Sequence, residues 1–243
     1  MKRTERQHLK ENELTALVQS ARETLQERQG PLTTLMLAMA VLAVIGLGYF
    51  GWRTRVEGRA HSALADAQTV EMTRVGPPTA PGVGTPATGL SFDTEELRQK
   101  AALEKFKAVA DQYPSSDAGL FARYREATIQ MSLGSPAEAA KAYQQVIDKA
   151  GTGIYGQMAT LGLADAQARA GQFDSAIAAY KQLADQKDGP LPIDGILMQL
   201  GMTYLEAGKR TEAQQTFTRI VQEFPNSPFS GDAQRELESL KKT

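Results

Sequence analysis

The sequence predicts an all-α protein in which one membrane-spanning helix is followed by an array of stacked helix pairs. Three observations carry that expectation. Residue types recur at a spacing of 37: Gly134, Gly171 and Gly208; Ala139, Ala176 and Ala213; Tyr143, Tyr180 and Phe217; Val146, Leu183 and Ile220. A period in this range marks helix pairs, none of which can bury its apolar face without a neighbour. An uncharged run from Gly30 to Trp52 holds a 21-residue apolar stretch beginning at Leu32, and about 20 residues of helix cross a hydrocarbon core of roughly 30 Å. Between run and repeats, proline and glycine concentrate in VGPPTAPGVGTPATGL, Val75 to Leu90, where neither a helix nor a buried strand is expected.

Composition sets the outer limits. The 243 residues are 42% hydrophobic and 23% charged, enough apolar material for a core. The net charge of -1 offers no basic surplus for nucleic acid and no acidic tail for a cationic partner. The absence of cysteine removes disulfides, thiol catalysis and thiolate metal sites.

Residues 1–30 read as a polar tail with six Lys or Arg, and Leu14, Leu17, Val18, Ala21 and Leu25 follow helical spacing. The tail is therefore expected to be partly an amphipathic helix, touching a partner or the lipid surface. Residues 31–52 read as the transmembrane helix. A cleaved signal has a short charged leader and an apolar run of about 7–15 residues; here the leader is 30 residues and the run ends in Trp52, Arg53 and Arg55, which fits a retained anchor. Small residues four apart promote tight helix pairing in lipid. Thr34 with Ala38 is the only such pair, so a simple anchor is expected, with Tyr49, Phe50 and Trp52 at the membrane interface. The six cations before the span outnumber Arg53, Arg55, Arg59 and Arg74 beyond it, which favours a cytoplasmic N-terminus and an exported repeat domain. Nearest the span the balance reverses, Arg53, Arg55 and Arg59 against Arg22 and Arg28. The opposite topology gives a cytoplasm-facing adaptor.

Residues 53–74 lack proline and carry the stripe Val56, Ala60, Ala63, Leu64 and Ala67, the pattern of a juxtamembrane helix serving as the first half-unit of the array. Residues 75–92 are expected to be a flexible connecting loop. Residues 93–243 form the repeat domain, opening at the capping signature Asp93 with Glu96. Carried backwards, the 37-residue period lands on Ala102, Phe106 and Val109, so an incomplete unit precedes the three full ones.

The last full unit, with Leu197, Leu200, Gly201, Tyr204, Gly208, Ala213, Phe217, Ile220 and Pro225, closely resembles the tetratricopeptide repeat. The resemblance covers roughly residues 95–243 and implies a right-handed superhelical array of helix pairs. In it, the small residues Ala127, Ala164 and Gly201 of the first helices sit against Ala139, Ala176 and Ala213 of the second, letting helix axes approach closely. Three departures stand out: a period of 37 rather than about 34, Gln130 and Gln167 where tyrosine is typical, and Asp188 in place of the motif proline. The whole architecture is similar to YfgM-like ancillary subunits of the Sec translocon, through GRAHSALADAQ near Gly58 and ALEKFKAVADQYPSSDAGLFARY near Ala102. The turns YPSSDA and FPNSPFSGDA are also similar to those of envelope repeat proteins of the CpoB and BamD type. The resemblance implies a bacterial inner-membrane protein whose periplasmic domain serves as a translocon-associated, chaperone-like helper for exported proteins, or as a coordinator of an envelope-assembly or cell-division complex. Its partners are then the Sec translocon, exported clients or envelope complexes, with no nucleic acid and no small-molecule substrate.

Such arrays bind along their first helices, where this sequence has Phe121, Tyr124, Met158, Leu161, Met198 and Met202. Thioether side chains repack around varied partners, which suits a protein-binding groove; the same residues equally suit a core. Arg125 and Arg169 do not make the basic cluster that clamps a C-terminal carboxylate. No catalytic residues, cofactor or metal are expected. His8 and His61 lie on opposite sides of the span, and Glu95, Glu96, Glu104, Asp111 and Asp117 fall among Lys and Arg as on solvated helix faces.

Overall fold

The computed structural model describes the backbone of residues 4–76, 91–186 and 189–242, and side chains from Leu35 onward. The side-chain stripe expected at Leu14 to Leu25, residues 77–90 of the expected loop, and Asp188 lie outside those described. The chain divides into two compact units, Met1–Arg55 and Val56–Thr243.

Helix α1 spans Thr4–Glu71. Within the first unit it carries the apolar run, and every side chain from Leu35 to Phe50 is exposed. Among the described residues this is the one helix long and apolar enough to cross a membrane, by length and composition, and its apolar window is unburied.

The second unit is an all-α array. From Val56 the end of α1 contributes its stripe, with Ala60, Leu64 and Ala67 buried in one cluster with Ala102, Phe106 and Val109 of α2 (Glu95–Gln112). Two short strands, β1 (Arg74–Val75) and β2 (Ser91–Phe92), pair in parallel where the chain leaves and rejoins the array. Val75 thus belongs to a strand rather than a loop, because pairing with Phe92 satisfies backbone groups where the two segments meet. The cap of α2 also differs from expectation. Thr94, with extended backbone, accepts the Leu97 N–H at 3.2 Å on its hydroxyl. The helix therefore starts after Thr94, not Asp93, with Glu95 and Glu96 in the first turn, where the helix dipole favours acids.

Three helix pairs follow: α3 (Asp117–Ser132) with α4 (Pro136–Ala150), α5 (Ile154–Arg169) with α6 (Phe173–Ala184), and α7 (Ile193–Glu206) with α8 (Arg210–Glu223). Helix α9 (Ser230–Lys242) packs on α8. Each pair turns at a glycine with positive φ: Gly134 at 77°, Gly171 at 74° and Gly208 at 72°. There the N–H groups of Ser135, Gln172 and Lys209 reach back to the carbonyls of Gln130, Gln167 and Tyr204, while each glycine N–H bonds three residues back. This is a Schellman closure repeated three times, and it requires a residue free of a Cβ penalty at the left-handed position.

Successive units keep the 37-residue period by different means. Helix α4 has 15 residues and is followed directly by residues 151–153, whereas α6 has 12 and is followed by the longer connector 185–192. Ala127, Ala139, Ala164, Ala176 and Ala213 are fully buried. A Cβ added to Gly201 would lie 2.4 Å from the Phe217 ring, and one added to Gly162 equally close to the Tyr143 ring. Gly201 thus lets an aromatic ring close a unit internally, and Gly162 does the same between units. The largest fully buried side chains among the described residues are Tyr180, Phe106, Phe217, Leu197, Ile220 and Val146.

Candidate protein-binding face

Helix α5 packs against both α3 and α7, so the first helices of the three full units lie side by side. Their shared register sets up three rows: Phe121, Met158 and Gly195; Tyr124, Leu161 and Met198; Thr128, Asp165 and Met202. Every one of these residues is half-buried. The six expected from sequence occupy the first two rows and the end of the third.

Each of the six is therefore neither wholly core nor wholly surface. Leu161, Met198 and Met202 press on the largest core cluster, Phe121 on the first, and Tyr124 on the cluster between them. Phe121 meets Tyr155 edge-on with centroids 6.2 Å apart, and Tyr124 lies 5.7 Å from Tyr143. Such contacts fix the rings on the scaffold while leaving part of each available.

Thr128 and Asp165 were not among the expected site residues. The signal was present, because both stand one and two periods before Met202; an apolar search passes over them. Beneath this row the second helix of each unit supplies an aromatic residue, and the pairs match in polarity. The Thr128 and Tyr143 hydroxyls lie 3.3 Å apart, the Tyr180 hydroxyl donates to the Asp165 carboxylate, and Phe217, in the Met202 unit, has no hydroxyl. Burial pushes the Asp165 carboxyl above the ordinary carboxylate range, opposed by the Tyr180 hydrogen bond and, next, by the charge of Arg169. Burial, then the neighbouring Asp165 charge, pushes Tyr180 far above the usual phenol value. Tyr143 is raised by burial as well. These hydroxyls remain protonated donors at neutral pH.

The cations nearby are committed or distant. Arg125 pairs with Glu71 and lies 6.0 Å from the Phe106 ring. A cleft of about 240 Å³ opens among Glu71, Arg98, Arg125 and Thr128, where Arg98 pairs with Glu95 and also donates to the Thr73 carbonyl. Arg169 is exposed, one turn from Asp165. Away from the face, Arg123 joins Asp111 of α2 to Glu126 of α3, and its hydrogen bond holds the Asp111 carboxyl below the usual range. Among the described residues no group of three or more His, Asp or Glu is placed to hold a metal ion.

The sequence matches the family described as tetratricopeptide repeat-like domain over residues 27–241. Among solved structures, the chain is similar to a tetratricopeptide repeat protein from Parabacteroides merdae, at 18% identity and a TM-score of 0.50, over 61% of this chain and 56% of that one. The chain thus spans little more than half the length of that protein. It is also similar to the nearly identical TPR-like repeats assigned to a kinesin light chain of Podosopora anserina, at 15% identity and a TM-score of 0.57, over 76% of this chain and 87% of that one. At these identities the likeness is one of fold, an all-α superhelical array of tetratricopeptide-like helix pairs. Among curated proteins none matches the sequence.

Proposed function

We propose that this chain, which belongs to the tetratricopeptide repeat-like domain family, is a membrane-anchored protein-binding scaffold of the bacterial cell envelope. One observation carries the reading: the first-helix residues Phe121, Tyr124, Met158, Leu161, Met198 and Met202 share one register and are all half-buried. Side chains so held are positioned by the core and still offer apolar area to a partner. Three methionines among them favour varied clients over one fixed shape, since unbranched thioethers repack at low cost.

The unburied apolar run of α1 supports a single span over residues 31–52, with residues 1–30 in the cytoplasm and the array from residue 53 onward outside it. In this reading residues 53–74 are the juxtamembrane half-unit, 75–92 the connection whose two ends lie in β1 and β2, and 93–243 the repeat domain of an inner-membrane protein. The function that suits this placement is a translocon-associated, chaperone-like helper, which receives apolar segments of exported proteins close to the bilayer. Two measurements test it. Fusions at Thr243 to a reporter active only outside the cytoplasm, and to one fluorescent only inside it, are expected to give activity and darkness respectively. Photocrosslinkers at Tyr124 and Met198 are expected to capture translocon subunits and newly exported chains. Adducts to a single folded, stoichiometric envelope protein point instead to a structural coordinator, and a fluorescent inside reporter sinks the exported topology.

A further inference from the structure

The three rows of the first-helix face contain one carboxyl group. Asp165 sits at the centre of the third row, half-buried, flanked by Thr128 on α3 and Met202 on α7, with Leu161 one turn before it on α5. Its environment is poor in compensation for a carboxylate. The Tyr180 hydroxyl gives it one neutral hydrogen bond from below, and Arg169 contributes only a weaker long-range attraction from its exposed position. A carboxylate accommodates about four hydrogen bonds, and partial burial without an ionic partner is costly. The equivalents in the neighbouring units show that the fold does not require an acid here, since Thr128 and Met202 occupy the same register without a charge. The aromatic residue behind each position carries a hydroxyl where the first-helix side chain is polar, Tyr143 by Thr128 and Tyr180 by Asp165, so Tyr180 holds the carboxylate at a fixed place on a mostly apolar surface.

We propose that this face takes an extended or helical apolar segment carrying a single lysine or arginine, with that cation seated on the Asp165 carboxylate and its apolar neighbours on Tyr124, Leu161, Met198 and Met202. The match is one of charge complementarity. A cation flanked by apolar residues is poorly served in most apolar grooves, and here it meets the one carboxylate among the three rows, which has a neutral hydrogen bond and no direct ion pair. A charge-assisted bond in a partly desolvated setting is roughly twice as strong as a neutral one, and Coulomb attraction grows as water is excluded by the bound segment. Asp165 then sets specificity and register, while the methionine-rich surround supplies tolerant apolar contact.

The inference rests on the reading that this face binds protein, and the experiment separates the two. The full chain in lipid nanodiscs is titrated with three fluorescent peptides of leucine, alanine and serine that differ only at one central residue: lysine, norleucine or glutamate. Empty nanodiscs give the background. The lysine peptide is expected to bind about tenfold tighter than the norleucine peptide, and the glutamate peptide more weakly than either. Asp165→Asn keeps shape and the Tyr180 hydrogen bond, and is expected to bring the lysine peptide to the norleucine affinity without moving the latter. Asp165→Glu keeps the charge and is expected to retain the preference. Asp165→Lys is expected to turn the preference towards the glutamate peptide. Circular dichroism of each variant establishes that the array remains folded. If all three peptides bind alike and Asp165→Asn changes nothing, the face binds protein but the cation site is wrong. If no peptide binds above background, both readings fall.

Discussion

The apolar run of α1 and the helices of the array are built from similar residues and meet opposite fates. Leu35 to Phe50 is apolar on all sides and wholly exposed. In the array, buried positions such as Ala139, Ala142, Tyr143 and Val146 return every three or four residues, with exposed Glu138, Lys141, Gln144 and Gln145 between them. Apolar content alone therefore decides little. A helix that is apolar all round has no preferred protein-facing side and suits a medium that is apolar all round, whereas a striped helix gains only by placing its stripe against another. The small residues differ in the same way. Gly46 and Gly48 have open space where a Cβ would stand, while Gly162 and Gly201 have an aromatic ring there.

That contrast can be broken first in the core. Phe217→Ala removes a fully buried ring and is expected to destabilise the array by about 3–5 kcal/mol, read from urea unfolding followed by circular dichroism. Leu42→Ala, at an exposed position of the run, is expected to leave that midpoint unmoved; an equal loss would show that the run packs on protein. Leu42→Arg sharpens the other side. On the proposed span it costs about 3 kcal/mol of insertion, visible as a lower membrane-integrated fraction after alkaline extraction, and unchanged integration would remove the span. Next in size is Gly201→Ala, whose added methyl group meets the Phe217 ring and is expected to cost about 1–3 kcal/mol. Gly48→Ala in the run is expected to be silent in the same unfolding assay.

The smallest effect concerns Asp165 and has a sign that depends on pH. Its carboxyl is raised in the folded state by burial, so between the ordinary carboxylate range and the raised value the folded state binds more protons than the unfolded one. The contribution of this group to stability therefore falls as pH rises through that window. Asp165→Asn escapes the loss. The variant is expected to gain on the parent as pH rises from about 4 towards neutrality, and to lose that advantage in more acidic buffer. Paired unfolding midpoints across that range would overturn the assignment if the advantage grew towards acid instead.

Much of the array was legible because its signals are local or periodic. Gly134, Gly171 and Gly208 announced the turns, and the backward extension to Ala102, Phe106 and Val109 marked residues that are buried beside Ala60, Leu64 and Ala67. The start of α2 was misplaced by one residue because Asp93 and Thr94 are both competent caps, and only backbone geometry chooses between them. The candidate face was legible as a set of positions and not as a surface. Phe121, Tyr124, Met158, Leu161, Met198 and Met202 were placed by register, but their half-burial depends on what the neighbouring helices pack against them.

What the sequence by itself determined is the repeat, its unit length, the glycine-closed turns and the presence of one unbroken apolar stretch. These follow from residue type at fixed spacing, since helix period and backbone preference act over a few neighbouring residues. Only the tertiary structure decided that α4 and α6 divide the same period differently, that β1 and β2 pair across the inserted segment, and that Asp165 meets the Tyr180 hydroxyl from another helix. Each depends on atoms brought together by packing, where close fit and the pairing of buried polar groups choose among arrangements that the local sequence permits equally.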